Sequence, residues 1–129
     1  MNIGQAALAS GISAKMIRHY ESLGLLYPNR SESGYRIYDE HDLHWLRFIR
    51  RARLLGFSLF QIRSLLSLWA DRSRASSDVR KIAEQHIADL NQRINELIEM
   101  RDALQSLTQS CNGDQSPNCS ILQGLADGQ

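Results

Sequence analysis

Residues 16–38 read MIRHYESLGLLYPNRSESGYRIY, and the periodicity changes part-way through. Ile17, Tyr20 and Gly24 fall on one face of a helix, while Lys15, Arg18, His19 and Ser22 follow i, i+3, i+4, i+7 spacing on another. Beyond Gly24 the helical pattern stops. Leu25 to Tyr27 and Tyr35 to Tyr38 have the β-branched and aromatic character of strands, around a turn-rich tip from Pro28 to Gly34. Upstream, Asn2 and Gln5 form a capping-box start for a helix from Ile3 to Ala9. Ser10-Gly11-Ile12 breaks that helix, and Ser13 caps the next one to about Leu23. Two short helices joined at a glycine turn are a helix-turn-helix, and a hairpin behind it is a wing. The wing offers Arg30, Tyr35 and Arg36 to phosphates or to a minor groove. A charged face on an isolated helix is often only solvated surface. The turn before it and the wing after it favour nucleic acid.

Downstream, Asp39 is placed to cap a third helix with Leu43, Leu46 and Ile49 inward and Arg47, Arg50 and Arg51 outward, closed by Gly56. Ser58 and Gln61 make another capping box for a fourth helix reaching about Trp69. The segment 71–77 is polar. From about Asp78 to Leu107, Ala83, Ile87, Leu90, Ile94, Leu97 and Leu104 step by alternating fours and threes, with Arg101 the polar interruption. That is a heptad seam of about three repeats, and a lone helix cannot bury it. A coiled coil between two copies of the chain is the economical solution, so a homodimer is expected. The expected fold is mainly α, in three parts: a winged helix-turn-helix over 1–70, a linker and dimerisation helix over 71–107, and a loop with a short helix over 108–129.

The 129 residues carry a net charge of +1, with 43% apolar and 22% charged side chains, which suits a helical globular protein and excludes a disordered or collagen-like one. The charge is uneven, net positive over 1–55 and net negative thereafter. No run approaches the roughly 18–20 apolar residues of a membrane span, and no signal-peptide pattern opens the chain, so the expected address is the cytoplasm, with no membrane partner. No carboxylate pair, nucleophile–base set or glycine-rich phosphate loop points to an enzyme.

The stretches IRHYESLGLL and SGYRIY, within residues 1–49, resemble the N-terminal signature of the MerR family of transcriptional regulators. The likeness runs on through the dimerisation helix and the C-terminal loop. It implies a dimeric winged-helix activator on a pseudo-palindromic promoter with an overlong spacer. Effector binding would make the dimer bend and untwist that spacer for RNA polymerase. By position, Ser13, Lys15, Arg18, His19 and Tyr20 match the family's recognition helix, with Arg30, Tyr35 and Arg36 in its wing and Arg53 as a further phosphate contact. The Arg18 fork suits guanine in the major groove. Tyr20 could equally be a core residue.

The only cysteines, Cys111 and Cys119, bracket the loop CNGDQSPNC. In a reducing cytosol such a pair is more often a metal or redox site than a structural disulfide. Zinc wants four ligands and no histidine lies in the loop, whereas two thiolates suit a linear monovalent cation such as Cu(I), Ag(I) or Au(I), one per subunit. Ser120 with Gln123 is expected to form a capping box that sets Cys119 beside the N-terminus of a last helix. The resemblance points to the copper-efflux-regulator branch: zinc and mercury branches carry a further cysteine where this chain has Ser76. Ser76 is equally an ordinary helix N-cap. The alternative is a reversible Cys111–Cys119 disulfide acting as a redox switch.

Overall fold

In the computed structural model, which describes residues 1–128, polar caps start the first helices where the sequence places them. Helix α1 (Ile3–Ser10) opens on the reciprocal capping box of Asn2 and Gln5 and closes at Gly11, whose φ of 74° is a left-handed position open to glycine at little cost. Helix α2 (Ala14–Ser22) opens on Ser13, whose hydroxyl accepts the Met16 N–H at 3.2 Å. Helix α3 (Glu40–Leu54) opens on an Asp39–Asp42 box, and α4 (Leu59–Ala70) on a Ser58–Gln61 box. Each cap satisfies backbone donors that would otherwise be orphaned, a contribution of roughly 1 kcal/mol apiece.

The wing differs from the expectation. Its strands are β1 (Asn29–Arg30) and β2 (Arg36–Ile37), antiparallel, with Asn29 opposite Ile37 and Arg30 opposite Arg36. The first strand begins after Pro28, not at Leu25. Leu25 and Leu26 are core residues, 4% and 2% exposed. The segment is anchored by tertiary bonds: the Trp45 indole N–H donates to the Leu25 carbonyl at 2.7 Å, and just upstream the Arg63 guanidinium donates to the Leu23 carbonyl.

Two units divide the chain, Met1–Ile82 and Ala83–Gln129. The core of the first gathers Ala6, Ile12, Ile17 and Tyr20 with Leu25, Leu26, Tyr38, Leu43, Leu46, Ile49, Ala52, Ile62 and Leu66. The inward stripe expected on α3 is therefore the observed one. Trp69 stacks on Trp45 and on Phe48, with ring centroids 5.3 and 4.8 Å apart.

The longest helix, α5 (Ser76–Ser110), runs through the heptad segment. Within the second unit its stripe stays open: Ile87, Ile94, Leu97 and Leu104 are all more than half exposed. A short helix, α6 (Ser120–Ala126), ends the described chain. No helix among the described residues is long and apolar enough to cross a membrane.

Candidate DNA-binding surface and cysteine loop

Helix α2 turns Ile17 and Tyr20 into the core and leaves Lys15, Arg18 and His19 exposed. Ser13 serves as its N-cap. Tyr20 is 5% exposed, so its ring belongs to the core, the structural alternative open in the sequence, and its assignment as a DNA contact is carried no further.

The wing is tied to α2 by a residue that sequence reasoning passed over. Glu21 accepts from Arg30 Nη2 at 3.3 Å through one carboxylate oxygen and from Arg36 Nε through the other. Arg30 also donates from Nη1 to the Gly34 carbonyl at 3.1 Å across the wing tip. Tyr35 is 75% exposed at that tip. Arg18, Arg30 and Arg36 line a shallow groove of about 230 Å³ with Tyr35 and Asn2. Glu21 neutralises two of these three guanidiniums in part, those of Arg30 and Arg36, which leaves the groove net positive. An acidic residue on an otherwise basic helix face was the one signal that could have found Glu21. Arg53 is exposed and donates to the Phe57 carbonyl at 3.2 Å, so it also fastens the turn between α3 and α4.

In the second unit the loop brings the two cysteines together. Cys111 Sγ and Cys119 Sγ lie 3.6 Å apart, both free and half-buried. A disulfide needs about 2.05 Å, so these are two thiols in contact. Metal–sulfur bonds of about 2.3 Å on either side of an ion would set collinear sulfurs ~4.6 Å apart, within reach of small side-chain rotations. Gly113, at φ 66°, turns the chain, and Asp114 Oδ1 accepts the Ser116 N–H at 2.9 Å.

The start of α6 departs from the expected cap. Cys119 itself occupies the N-cap position without a side-chain cap hydrogen bond, and Ser120 is the first helical residue. Its hydroxyl turns away from its own helix to the Leu107 carbonyl of α5, at 2.8 Å. The Leu122 N–H, the Cys111 thiol and the Ile121 N–H pull the Cys119 pKa below its ordinary 9.0, against a smaller opposing effect of burial.

Among the described residues, the one group of three potential ligands is Asp39, His41 and Asp42, within 4.8 Å of one another. Asp39 and Asp42 are already used as the α3 capping box. No third His, Cys, Asp or Glu gathers with the two sulfurs in the described chain. Ser76 stands exposed at the first turn of α5.

Two family models cover this chain: a MerR HTH family regulatory protein model over residues 1–69 and a MerR DNA-binding model over 43–107. The chain belongs to the MerR family. Within it, the chain is 54% identical to heavy metal-dependent transcription regulator 2 of Rhizobium meliloti, over 99% of this chain and 88% of that protein. It is 42% identical to the HTH-type transcriptional regulator CueR of Salmonella typhimurium, over 98% and 92% of the two chains. The crystal structure of PbrR691 from Ralstonia metallidurans in complex with lead(II) superposes with a TM-score of 0.87 at 36% identity, covering 97% of this chain and 98% of that one. These MerR-family relatives are named as transcription regulators rather than enzymes.

Proposed function

We propose that this MerR-family chain is a metal-responsive transcriptional activator whose effector is a monovalent d¹⁰ cation, Cu(I), Ag(I) or Au(I), one per subunit. The observation that carries the reading is the pair of free sulfurs 3.6 Å apart, with no third His, Cys, Asp or Glu gathered around them among the described residues. Two soft thiolates favour a soft ion of low coordination number, and a lowered Cys119 pKa reduces the cost of deprotonating one of them. The heavy-metal and lead(II) relatives support the metal class.

The open stripe of α5 supports a homodimer through an antiparallel coiled coil, which places Ser76 of one chain's helix toward the partner's loop. Serine there withholds the third sulfur that a divalent ion would use. The dimer binds a pseudo-palindromic promoter through Lys15, Arg18 and His19 in successive major grooves, with Arg30, Tyr35, Arg36 and Arg53 on the backbone. Metal loading makes it deform the spacer for RNA polymerase, a deformation that firm phosphate anchors on both sides make possible. The setting is the cytoplasm.

The test combines a promoter reporter with elemental analysis and X-ray absorption on anaerobically purified protein. One Cu(I) per subunit in a two-sulfur shell is expected, with the reporter silent in Cys111→Ser and Cys119→Ser variants that still shift DNA. A wild-type reporter responding best to zinc would refute it. The proximity of the sulfurs also favours a second reading, a reversible disulfide switch; induction by peroxide in metal-free medium would select it.

A further inference from the structure

Cys111 and Cys119 are each followed or preceded in sequence by a serine, and those two serines touch. Ser110 Oγ lies 2.9 Å from Ser120 Oγ, and Ser120 Oγ lies 2.8 Å from the Leu107 carbonyl oxygen. Each hydroxyl has one proton, which orders the chain: Ser120 donates to the carbonyl and accepts from Ser110. Ser110 also lies near the Ser106 and Leu107 carbonyls of its own helix, at 3.2 and 3.1 Å. Leu107 is among the last four residues of α5, whose carbonyls lack an intrahelical N–H partner. A hydroxyl from the next helix supplies one.

The same leucine is gripped at its side chain. Gly124 is four residues after Ser120 and on the same face of α6. A Cβ at Gly124 would stand 2.4 Å from Leu107 Cδ2 and 3.3 Å from Cδ1, so the α6 backbone lies flush on that side chain. By contrast, residues 112–118 are exposed, and the side-chain bonds within them, Asp114 to Ser116 and Ser116 to Asn118, are local.

We propose that Ser110, Ser120 and Gly124 are positioning residues of the metal loop: together they clasp α6 to the last turn of α5 and fix the separation of the two sulfurs. The proposal rests on the reading of Cys111 and Cys119 as ligands. Because the contacting serines adjoin the cysteines, the clasp sets the backbone span from which both thiols project. A fixed span favours an ion that two sulfurs satisfy in line. A loosened span lets the sulfurs separate and opens the ion to a third donor.

The experiment uses the full chain, Cu(I) in competition with a chromophoric Cu(I) chelator, and X-ray absorption with and without added glutathione. Ser120→Ala and Gly124→Val are expected to weaken Cu(I) binding by about 10–100-fold, the usual range for groups that orient metal ligands. Both are expected to admit a third sulfur from glutathione, while wild type keeps two. Ser120→Thr, which retains the hydroxyl, is expected to restore affinity and the two-sulfur shell. Wild-type affinity and a two-sulfur shell in both disruptive variants overturn the clasp, as does a Ser120→Thr protein as weak as Ser120→Ala. Wild type that binds no Cu(I) overturns the metal reading itself, a result distinct from either.

Discussion

At Cys119 the Leu122 N–H, the Cys111 thiol and the Ile121 N–H hold the thiol pKa below its ordinary value. The thiol ionises in the fold at a lower pH than in the unfolded chain, so its ionisation favours the folded loop at pH near and above 9. That contribution is lost as the pH falls through the folded pKa. Alkylation of Cys119 in the metal-free protein, followed by peptide mass mapping, is therefore expected to reach half its limiting rate at lower pH than a cysteine model peptide. A coincident profile would show that the N–H groups of Leu122 and Ile121 do not act on the sulfur. In the proposed metal reading, Ser76 is the second residue on which selectivity turns. Ser76→Cys is expected to raise affinity for Zn(II) or Hg(II), because a third soft ligand becomes available, and competition titrations against Cu(I) measure the change.

Among the elements, the wing and the recognition helix act as one body because Glu21 holds both wing arginines. Glu21→Gln releases two guanidiniums that the carboxylate now neutralises in part. Its binding to random-sequence DNA is expected to become more salt-dependent, the slope steepening by up to roughly two units, while preference for the operator falls as the wing loosens. Arg36→Ala is expected to flatten the slope by about one and weaken all sequences alike; Arg18→Ala is expected to cost roughly 1–3 kcal/mol on the operator with relaxed base preference. Fluorescence anisotropy across a salt series separates the three. The capping boxes at Asn2 and Ser58 were readable because a cap is a local contract between residues three apart. Leu25 and Leu26 were misread as a strand because a core segment anchored through Trp45 has the same apolar composition as one. Ser120 was misread as a cap for the same reason in reverse: its partner is thirteen residues back, on another helix. The partners of Glu21 on the wing and the Ser110–Ser120 contact are likewise non-local; the acidic break in a basic helix face marks Glu21 but not what it binds.

For the whole molecule, the apolar stripe of α5 was legible in the sequence, and what covers it was not, since one chain shows only its own face of any contact. Ile87, Ile94, Leu97 and Leu104, each already about half-covered, would gain roughly 1 kcal/mol apiece on full burial, and the same stripe on a second copy would gain as much again. Leu90→Asp is expected to yield monomers or insoluble protein by forcing a charge into the seam. Sedimentation showing an intact dimer would refute that arrangement. The Met1–Ile82 unit also contains its own optical probe. Trp45 and Trp69 are the only indoles in the chain, and their planes lie 9° apart on neighbouring helices. Indoles so close couple electronically, so near-ultraviolet dichroism and intrinsic emission follow the packing of α3 on α4 directly, without a dye or a label, whenever that unit folds or meets DNA.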